Sequence, residues 1–586
     1  MKSILSMLSL ATLLCTQASA QYFQHKYGYA PDIGTRTKCG QVTTATGPGH
    51  LVGADHIRDL SSSIGNYGVY VLRTDQDGRF SSGNNFNRVY FLTHVATGIQ
   101  ARFTTAFVVE FSDGSGYGAI GTYITQSGLF APYQNQGIAY IRLDLMGNVM
   151  NVQGYSLANS SGALAFIAGL KESSSSPNTL FATGTLNDDG SRLWAMHIDQ
   201  AGNLLWGNFY DISGTAGPTD LVESPYASEL IIVGDYDDPT WSKPFWMVLD
   251  PNTGAFVRMD AYSTYMGGVS ERMRSINVTP GDGFILTGIS DAKALVVKLG
   301  NGGWYQWAGL YSSATNPGFL MYGYDAVGGV NATTGRREYY VTGPYFNDPI
   351  NGDAYMFKLD ANGFPVNPNG LFLYNTGVEE TGMAIDWSTG GVNDGITMYA
   401  IGEGNGTPGS PLKEVYVVKA DFNGQSGCLE YFEDLQRQIT EWGSVKKITA
   451  TTSSFGLENL AHRWQLDLVD NELCFTGTRP GGGGAIGTGR YAAASQATVA
   501  HSLALLSPNP SLAGSAFKVQ IDLSADDEVQ VAIYDITGRT CQSTPMQGKA
   551  GHNVLPLQAG INMPAGIYTV KVKGRTIDQN LMLSIQ

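Results

Sequence analysis

Charge is scarce in this chain. Only 15% of its 586 residues are Asp, Glu, Lys or Arg, against about 25% in an ordinary soluble protein. What charge there is leans acidic, with a net −15 and a pI near 4.9. Phosphate neutralisation needs clustered Lys and Arg, so a nucleic-acid partner is excluded, and an anionic membrane surface would repel the chain. No apolar run is long enough to span a bilayer. Chemistry-bearing motifs are missing as well: there is no GxSxG elbow, P-loop, HExxH or CxxC. Helical periodicity is nowhere evident.

Cysteine is also sparse, at five. The first, Cys15, falls in an N-terminal address: Lys2 is basic, Ile4–Cys15 is mostly apolar, and Ala18-Ser-Ala20 is a small-residue cleavage site. Cleavage after Ala20 is expected, so residues 1–20 form a signal peptide and the mature chain starts at Gln21 in an oxidising compartment. Cys39, Cys428, Cys474 and Cys541 remain, allowing three pairings. Cys428 with Cys474 is favoured, and would tie the segment after the last repeat back onto that repeat. Cys39 with Cys428, or free thiols, stay open.

Glycine and tyrosine, by contrast, are abundant, at 74 and 31. A strand–glycine–hairpin–strand segment recurs seven times, with its glycines at 53, 121, 184, 234, 288, 343 and 402, a mean period of about 58 residues. The fifth copy is the clearest: Met273–Thr279, Phe284–Ser290, Ala294–Leu299 and Trp304–Tyr311 are β-rich runs with turn residues at their joints. Four antiparallel strands per unit and seven units predict an all-β, seven-bladed β-propeller over 21–433. The second-strand glycine is expected to let neighbouring sheets approach. The third strand closes on Asp75, Asp144, Asp199, Asp250, Asp360 or Asp421, and these are expected to cap tight turns rather than do chemistry. Gln21–Gly28 resembles the aromatic fourth strands and is expected to complete the last blade beside Leu429–Phe432, closing the ring.

The cadence stops near residue 434. Residues 434–500 read as an extension and a Gly/Ala/Ser-rich linker, whose Gly482, Gly484 and Gly487 match GxGxxG by chance. Residues 501–586 read as a small β-sandwich-like module. There Pro508-Asn509-Pro510, Tyr534-Asp535 with Gly538-Arg539, and the turn and strand carrying Gly566 and Tyr568 occur in order. These motifs closely resemble the C-terminal (type A) sorting domain of the Bacteroidetes type IX secretion system. The resemblance implies passage across the outer membrane by the secretion machinery, removal of this domain, and surface attachment or release. The repeat region likewise looks like propellers of short "TG…D…KLD" units in exported Bacteroidetes proteins, an architectural likeness that carries no activity.

In a propeller, the hairpins joining second to third strands share one face. Here they carry Asp55, His56, Asp188, Asp189, Asp235, Asp237, Asp238, Trp241, Asp291, Asp348 and Glu403. Carboxylates beside an aromatic platform suit sugar hydroxyls or a Ca²⁺ ion, although Asp is also what tight hairpins prefer. Two functional classes survive. One is a non-enzymatic surface binding or adhesion protein with a glycan or surface-protein ligand. The other is a secreted polysaccharide hydrolase or lyase using top-face carboxylates. A structural subunit of an extracellular layer or fibre is a third reading.

Overall fold

Alternation of β-branched and aromatic residues with Gly- and Asp-rich joints produces strands throughout. A computed structural model describes strands and turns within residues 22–476 and 503–585. It leaves out 1–21, 477–502 and several loops, among them 28–37, 58–66, 188–191, 347–351, 404–412, 427–429 and 508–515. The described residues contain no helix. The chain divides into two compact units, Met1–Gly484 and Ala485–Gln586.

The first unit is built from antiparallel sets of four strands, numbered I to VII in chain order. Set I holds Lys38–Thr44, Gly47–Ile57, Tyr67–Asp75 and Phe86–His94, and set II Gln100–Glu110, Tyr117–Gln126, Tyr133–Leu143 and Val149–Ser156. Set IV holds Thr215–Glu223, Leu230–Asp238, Trp241–Leu249 and Phe256–Thr264, and set V Glu271–Thr279, Gly283–Ser290, Lys293–Leu299 and Tyr305–Ser313. In set VI the first strand is split into Leu320–Met321 and Asp325–Val330, followed by Arg337–Phe346, Gly352–Asp360 and Leu371–Tyr374. Set III is representative: Leu164–Glu172, Thr179–Asn187, Arg192–Asp199 and Leu204–Ile212 pair in sequence. Sets I and II join in a single ten-stranded sheet through a parallel bridge between Lys38 and Phe107 and a short pairing of Leu92 and Thr93 with Ala101 and Gln100. Set VII takes its first three strands from Glu380–Ser388, Gly395–Glu403 and Lys413–Ala420, and its fourth from the far end of the chain, Tyr22–Tyr27. Sheets stacked in this way give a propeller-like arrangement.

The strands are apolar on both faces because each set is covered on both sides. In Lys293–Leu299, every residue after the first is buried. Cores lie between successive sets: Trp246 and Val248 of set IV pack with Phe284, Leu286 and Val297 of set V. Another core joins the two ends of the series, with Val52, Ala54 and Leu72 of set I against Ala384, Tyr399 and Val417 of set VII.

Two expectations change here. The second-strand glycines mostly face their own sheet. A Cβ at Gly184, Gly234 or Gly288 would collide with the first-strand carbonyl of Phe166, Gly217 or Arg272 respectively, and one at Gly343 with the carbonyl of Tyr322, which lies between Leu320–Met321 and Asp325–Val330. In sets III, IV and V a β-bulge near that point explains the crowding, because an extra residue turns a carbonyl into the sheet. Close approach between sets does occur at three of these five: Gly53 meets Val108, Gly288 accepts from Gly323 N–H of the next set at 3.1 Å, and Gly382 of the next set comes against the Gly343 backbone.

The second change concerns 434–476. The run from Glu430 to Thr476 supplies a fifth strand to set after set, against chain order. Glu430–Glu433 adds to set VI, Leu435–Thr440 to V, Trp442–Ile448 to IV and Ala450–Ser454 to III. Gly456–Glu458 then adds to II, Leu460–Leu466 to I and Asp470–Thr476 to VII. The N-terminal strand does complete the last set, yet its outer neighbour is Asp470–Thr476, and Glu430–Glu433 serves set VI instead.

The second unit has two sheets. Leu503–Ser507, Ala516–Leu523 and Gly551–Gln558 form one; Thr540–Gly548, Asp527–Tyr534, Gly566–Lys573 and Asp578–Ile585 form the other. Val519, Ile521, Val531, Val570 and Leu583 share one core between them.

Candidate functional site at the boundary of sets IV and V

Antiparallel order puts the second-to-third-strand hairpins at one end of every set, and the turns after the third strand at the other. Asp188, Asp189 and Asp348 lie outside the described residues. Several of the others stand on strands rather than in hairpins. Asp55 and His56 pair with Val69 and Gly68, Glu403 pairs with Lys413, and Asp235, Asp237 and Asp238 belong to Leu230–Asp238, whose last residue faces Trp241. The structure brings together only part of the predicted group.

That part centres on Asp235, whose side chain is 15% exposed. It accepts a hydrogen bond from the Met273 backbone N–H at 2.9 Å, and Arg274 Nη1 lies 3.7 Å from its second oxygen. Burial pushes its carboxyl up to about 6, against the opposing pull of Arg274. Asp237 and Arg272 are exposed beside it on the two sets. Asp291 is exposed at the tip of the next hairpin, where it and Ala292 both take positive φ, at 46° and 64°. This is the two-residue turn that matches the twist of paired strands. The Ala292 carbonyl accepts from Met321 N–H at 2.9 Å and so fixes the hairpin to set VI.

Next to this cluster is an ion pair that sequence reasoning missed. Lys243 donates to Glu271 at 2.6 Å, and both are buried. Glu271 also accepts from Ser263 Oγ at 2.8 Å and Thr264 N–H at 3.0 Å. Such a pair holds strands together and is closed to solvent.

Carboxylates on the first strands are engaged in the same way. Asp220 accepts from Ile276 N–H at 3.2 Å on the next set, and Asp325 accepts from Ile385 N–H at 3.1 Å on the set after it. Both are buried. They satisfy N–H groups on the neighbouring set's first strand, which would otherwise be costly to bury.

At the opposite end the turn aspartates act as expected. Asp144 Oδ1 accepts from Met146 and Asn148 N–H at 2.8 Å, and Asp360 repeats this with Asn362 and Phe364. Two further devices recur there. The residue two before the turn aspartate is a buried cation in several copies, and Arg142 and Lys298 donate to turn carbonyls. Fourth-strand tyrosines bridge to the next set: Tyr90, Tyr155, Tyr210, Tyr311 and Tyr374 donate to the carbonyls of Gly147, Gly202, Gly254, Gly363 and Gly424 at 2.6–2.7 Å. The repeated Lys/Arg and Tyr spacing was the signal for both.

Of the cysteines, Cys428 lies outside the described residues, Cys474 stands opposite Gln24 on paired strands, and Cys541 is exposed and free. Of the sorting motif, Pro508, Asn509, Pro510 and Gly538 lie outside as well. Asp535 caps its turn by accepting from Arg539 N–H at 3.0 Å and pairs with the Arg539 guanidinium at 3.0 Å. Tyr568 donates to the Pro564 carbonyl at 2.7 Å, and Gly566 opens the same strand. Among the described residues no group of His, Cys, Asp and Glu gathers that would hold a metal ion.

No protein-family model matches the chain, and no curated protein matches it. Among solved structures it is similar to PorZ, described as an essential bacterial surface component of the type IX secretion system of Porphyromonas gingivalis. The identity is 10%, the alignment covers 96% of this chain and 100% of that one, and the TM-score is 0.14. A likeness that slight carries no argument about fold or activity.

Proposed function

We propose that sets I–VII are the blades of a closed seven-bladed β-propeller that acts as a non-enzymatic binding or adhesion protein at the cell surface. The observation that carries the closure is the core between sets VII and I, with the N-terminal strand completing set VII. Binding falls to the end bearing Asp235, Asp237 and Asp291, with Arg272 and Arg274 among them. A mixed acidic and cationic rim suits hydroxyl-rich or zwitterionic ligands such as glycans and surface proteins. Binding is favoured over hydrolysis because Asp220, Asp325 and Glu271 are tied to backbone and lysine partners.

Residues 501–586 act in this reading as a type IX sorting domain, with Asp535, Arg539 and Tyr568 holding its turn and strand in shape for the secretion machinery. The Cys428–Cys474 disulfide belongs to the same reading. Gln24 pairs with Cys474 and donates from Nε2 to Ser426 Oγ at 2.7 Å, so the chain passes within two residues of Cys428 beside that strand.

A glycan array probed with residues 21–478, with and without Ca²⁺, tests the ligand reading. Selective binding that weakens in Arg272→Ala or Asp237→Asn supports it. Turnover of a polysaccharide panel without retention on the array refutes it in favour of a hydrolase or lyase. Retention of the chain in the periplasm after deletion of 501–586 supports the sorting role.

A further inference from the structure

The end opposite the candidate ligand site carries a repeated, exposed apolar feature, of which Phe364 is capped on one face by the Arg437 guanidinium at 4.5 Å. Taking the positive-φ turn glycines 147, 202, 254, 303 and 363 as the common mark, the residue three beyond is Met150, Leu205, Val257, Gln306 and Val366. Where that position is polar, in set V, the residue one beyond the glycine is Trp304; in set VI it is Phe364. Met150, Leu205, Val257, Trp304, Phe364 and Val366 are 47% to 79% exposed. The feature runs through sets II to VI and stops. Set I has Arg79 and Ser81 at the two positions, and set VII has Gln425 and Gly427.

Neighbouring turns touch, so these side chains follow one another along a common rim. Asn151 Nδ2 donates to the Ala201 carbonyl at 2.5 Å between sets II and III, and Asn208 Nδ2 to the Gly254 carbonyl at 3.2 Å between III and IV. In sets II, III, IV and VI a half-exposed turn carboxylate, Asp144, Asp199, Asp250 or Asp360, stands six or seven residues before Met150, Leu205, Val257 or Val366, whereas set V has Gly300 at that place. Scattered exposed apolar residues need no explanation, but an ordered series of them on one side of a repeat fold marks a docking surface. The sheets are poor hosts for an added strand, because their outermost strands are short, from three to seven residues.

We infer that this arc docks a protein partner presenting cationic side chains among apolar ones. Charge selects that occupant. The carboxylates interleaved with the apolar side chains complement Lys or Arg. A second copy of a chain with net charge −15 would set like charge against like. The arc lies at the far end from the proposed ligand site, so partner and ligand can be held at once.

The test uses the mature chain and the triple variant L205S/V257S/W304S, whose exposed positions leave the melting temperature unchanged. The probe is a synthetic amphipathic Lys/Leu peptide, with a Glu/Leu peptide of equal length as control, followed by fluorescence anisotropy. The proposal expects the Lys/Leu peptide to bind the wild-type chain, to weaken with added salt, and to lose about tenfold or more in affinity on the variant. Equal affinity for wild type and variant overturns it, as does equal binding of the two peptides. Concentration-dependent dimerisation by light scattering that the triple variant abolishes would also overturn it, by giving the arc to a second copy.

Discussion

His197 offers a pH test of the core between sets III and IV. It occupies the third-strand position that holds Arg142 in set II and Lys298 in set V, yet its surroundings are aromatic. The ring stacks on Phe181 with centroids 4.1 Å apart and meets Trp206 edge-on at 6.0 Å. Its Nε2 lies 2.7 Å from Thr179 Oγ1. That hydroxyl already donates its one proton to the Ser176 carbonyl at 2.7 Å. The imidazole must therefore donate from Nε2, leaving Nδ1 unprotonated. Burial holds the ring down to about 4, with Glu223 pulling weakly the other way. A folded value below the ordinary 6.5 means that the unfolded chain takes up the proton more readily. The contribution is thus fully present above pH 6.5 and is lost as pH falls toward 4. At one pKa unit per 1.36 kcal/mol, the loss by pH 4 is about 3 kcal/mol.

The set IV equivalent is Val248, so His197→Val is the substitution the repeat itself suggests. Urea unfolding of the first unit, followed by tryptophan fluorescence in the full chain, should show wild type losing about 3 kcal/mol relative to the variant between pH 7.5 and pH 4. Other titrating groups cancel in that difference. Ring-labelled histidine NMR should give one histidine that stays neutral to pH 5. A flat difference curve, or all histidines titrating near 6.5, would refute the reasoning.

Lys243→Met should cost about 3–5 kcal/mol, since it strands the buried Glu271 carboxylate, and Lys243→Met with Glu271→Leu should recover most of that in a urea denaturation cycle. Gly254→Ala forces a side chain onto φ 67° and into Trp206 and Asn208. A loss of about 2 kcal/mol or more is expected by thermal unfolding, and a neutral result would discredit the turn packing. If Cys428 and Cys474 are bridged, non-reducing peptide mapping recovers them as one species. Loop-closure entropy over 46 residues then makes Cys474→Ser cost about 4 kcal/mol.

Repetition made much of this molecule legible. The glycine period and the Asp-closed third strands mark the sets, because strand propensity and turn chemistry are local and each copy repeats them. Asp144 and Asp360 cap their turns in the structure as the sequence reading anticipated. The second-strand glycine was singled out for close approach between sets, which Gly53, Gly288 and Gly343 show, but crowding within its own sheet was not foreseen. The colliding carbonyl sits on a bulged first strand, and a bulge is a pairing irregularity that no residue spelling announces.

What the sequence by itself determined is therefore local: β-strands in recurring runs with capped turns, and a change of character toward the C-terminus, where the structure begins a second unit at Ala485. Tertiary structure alone decided where the unrepeated parts go. The run from Glu430 to Thr476 has no cadence of its own, because each strand in it is shaped to the edge it joins, and pairing partners distant in sequence, as far away as Tyr22 is from Thr476, set its course. The same holds for Asp235 and Glu271. Their environment depends on which set lies alongside, and only the packed sheets bring Met273, Arg274 and Lys243 to them.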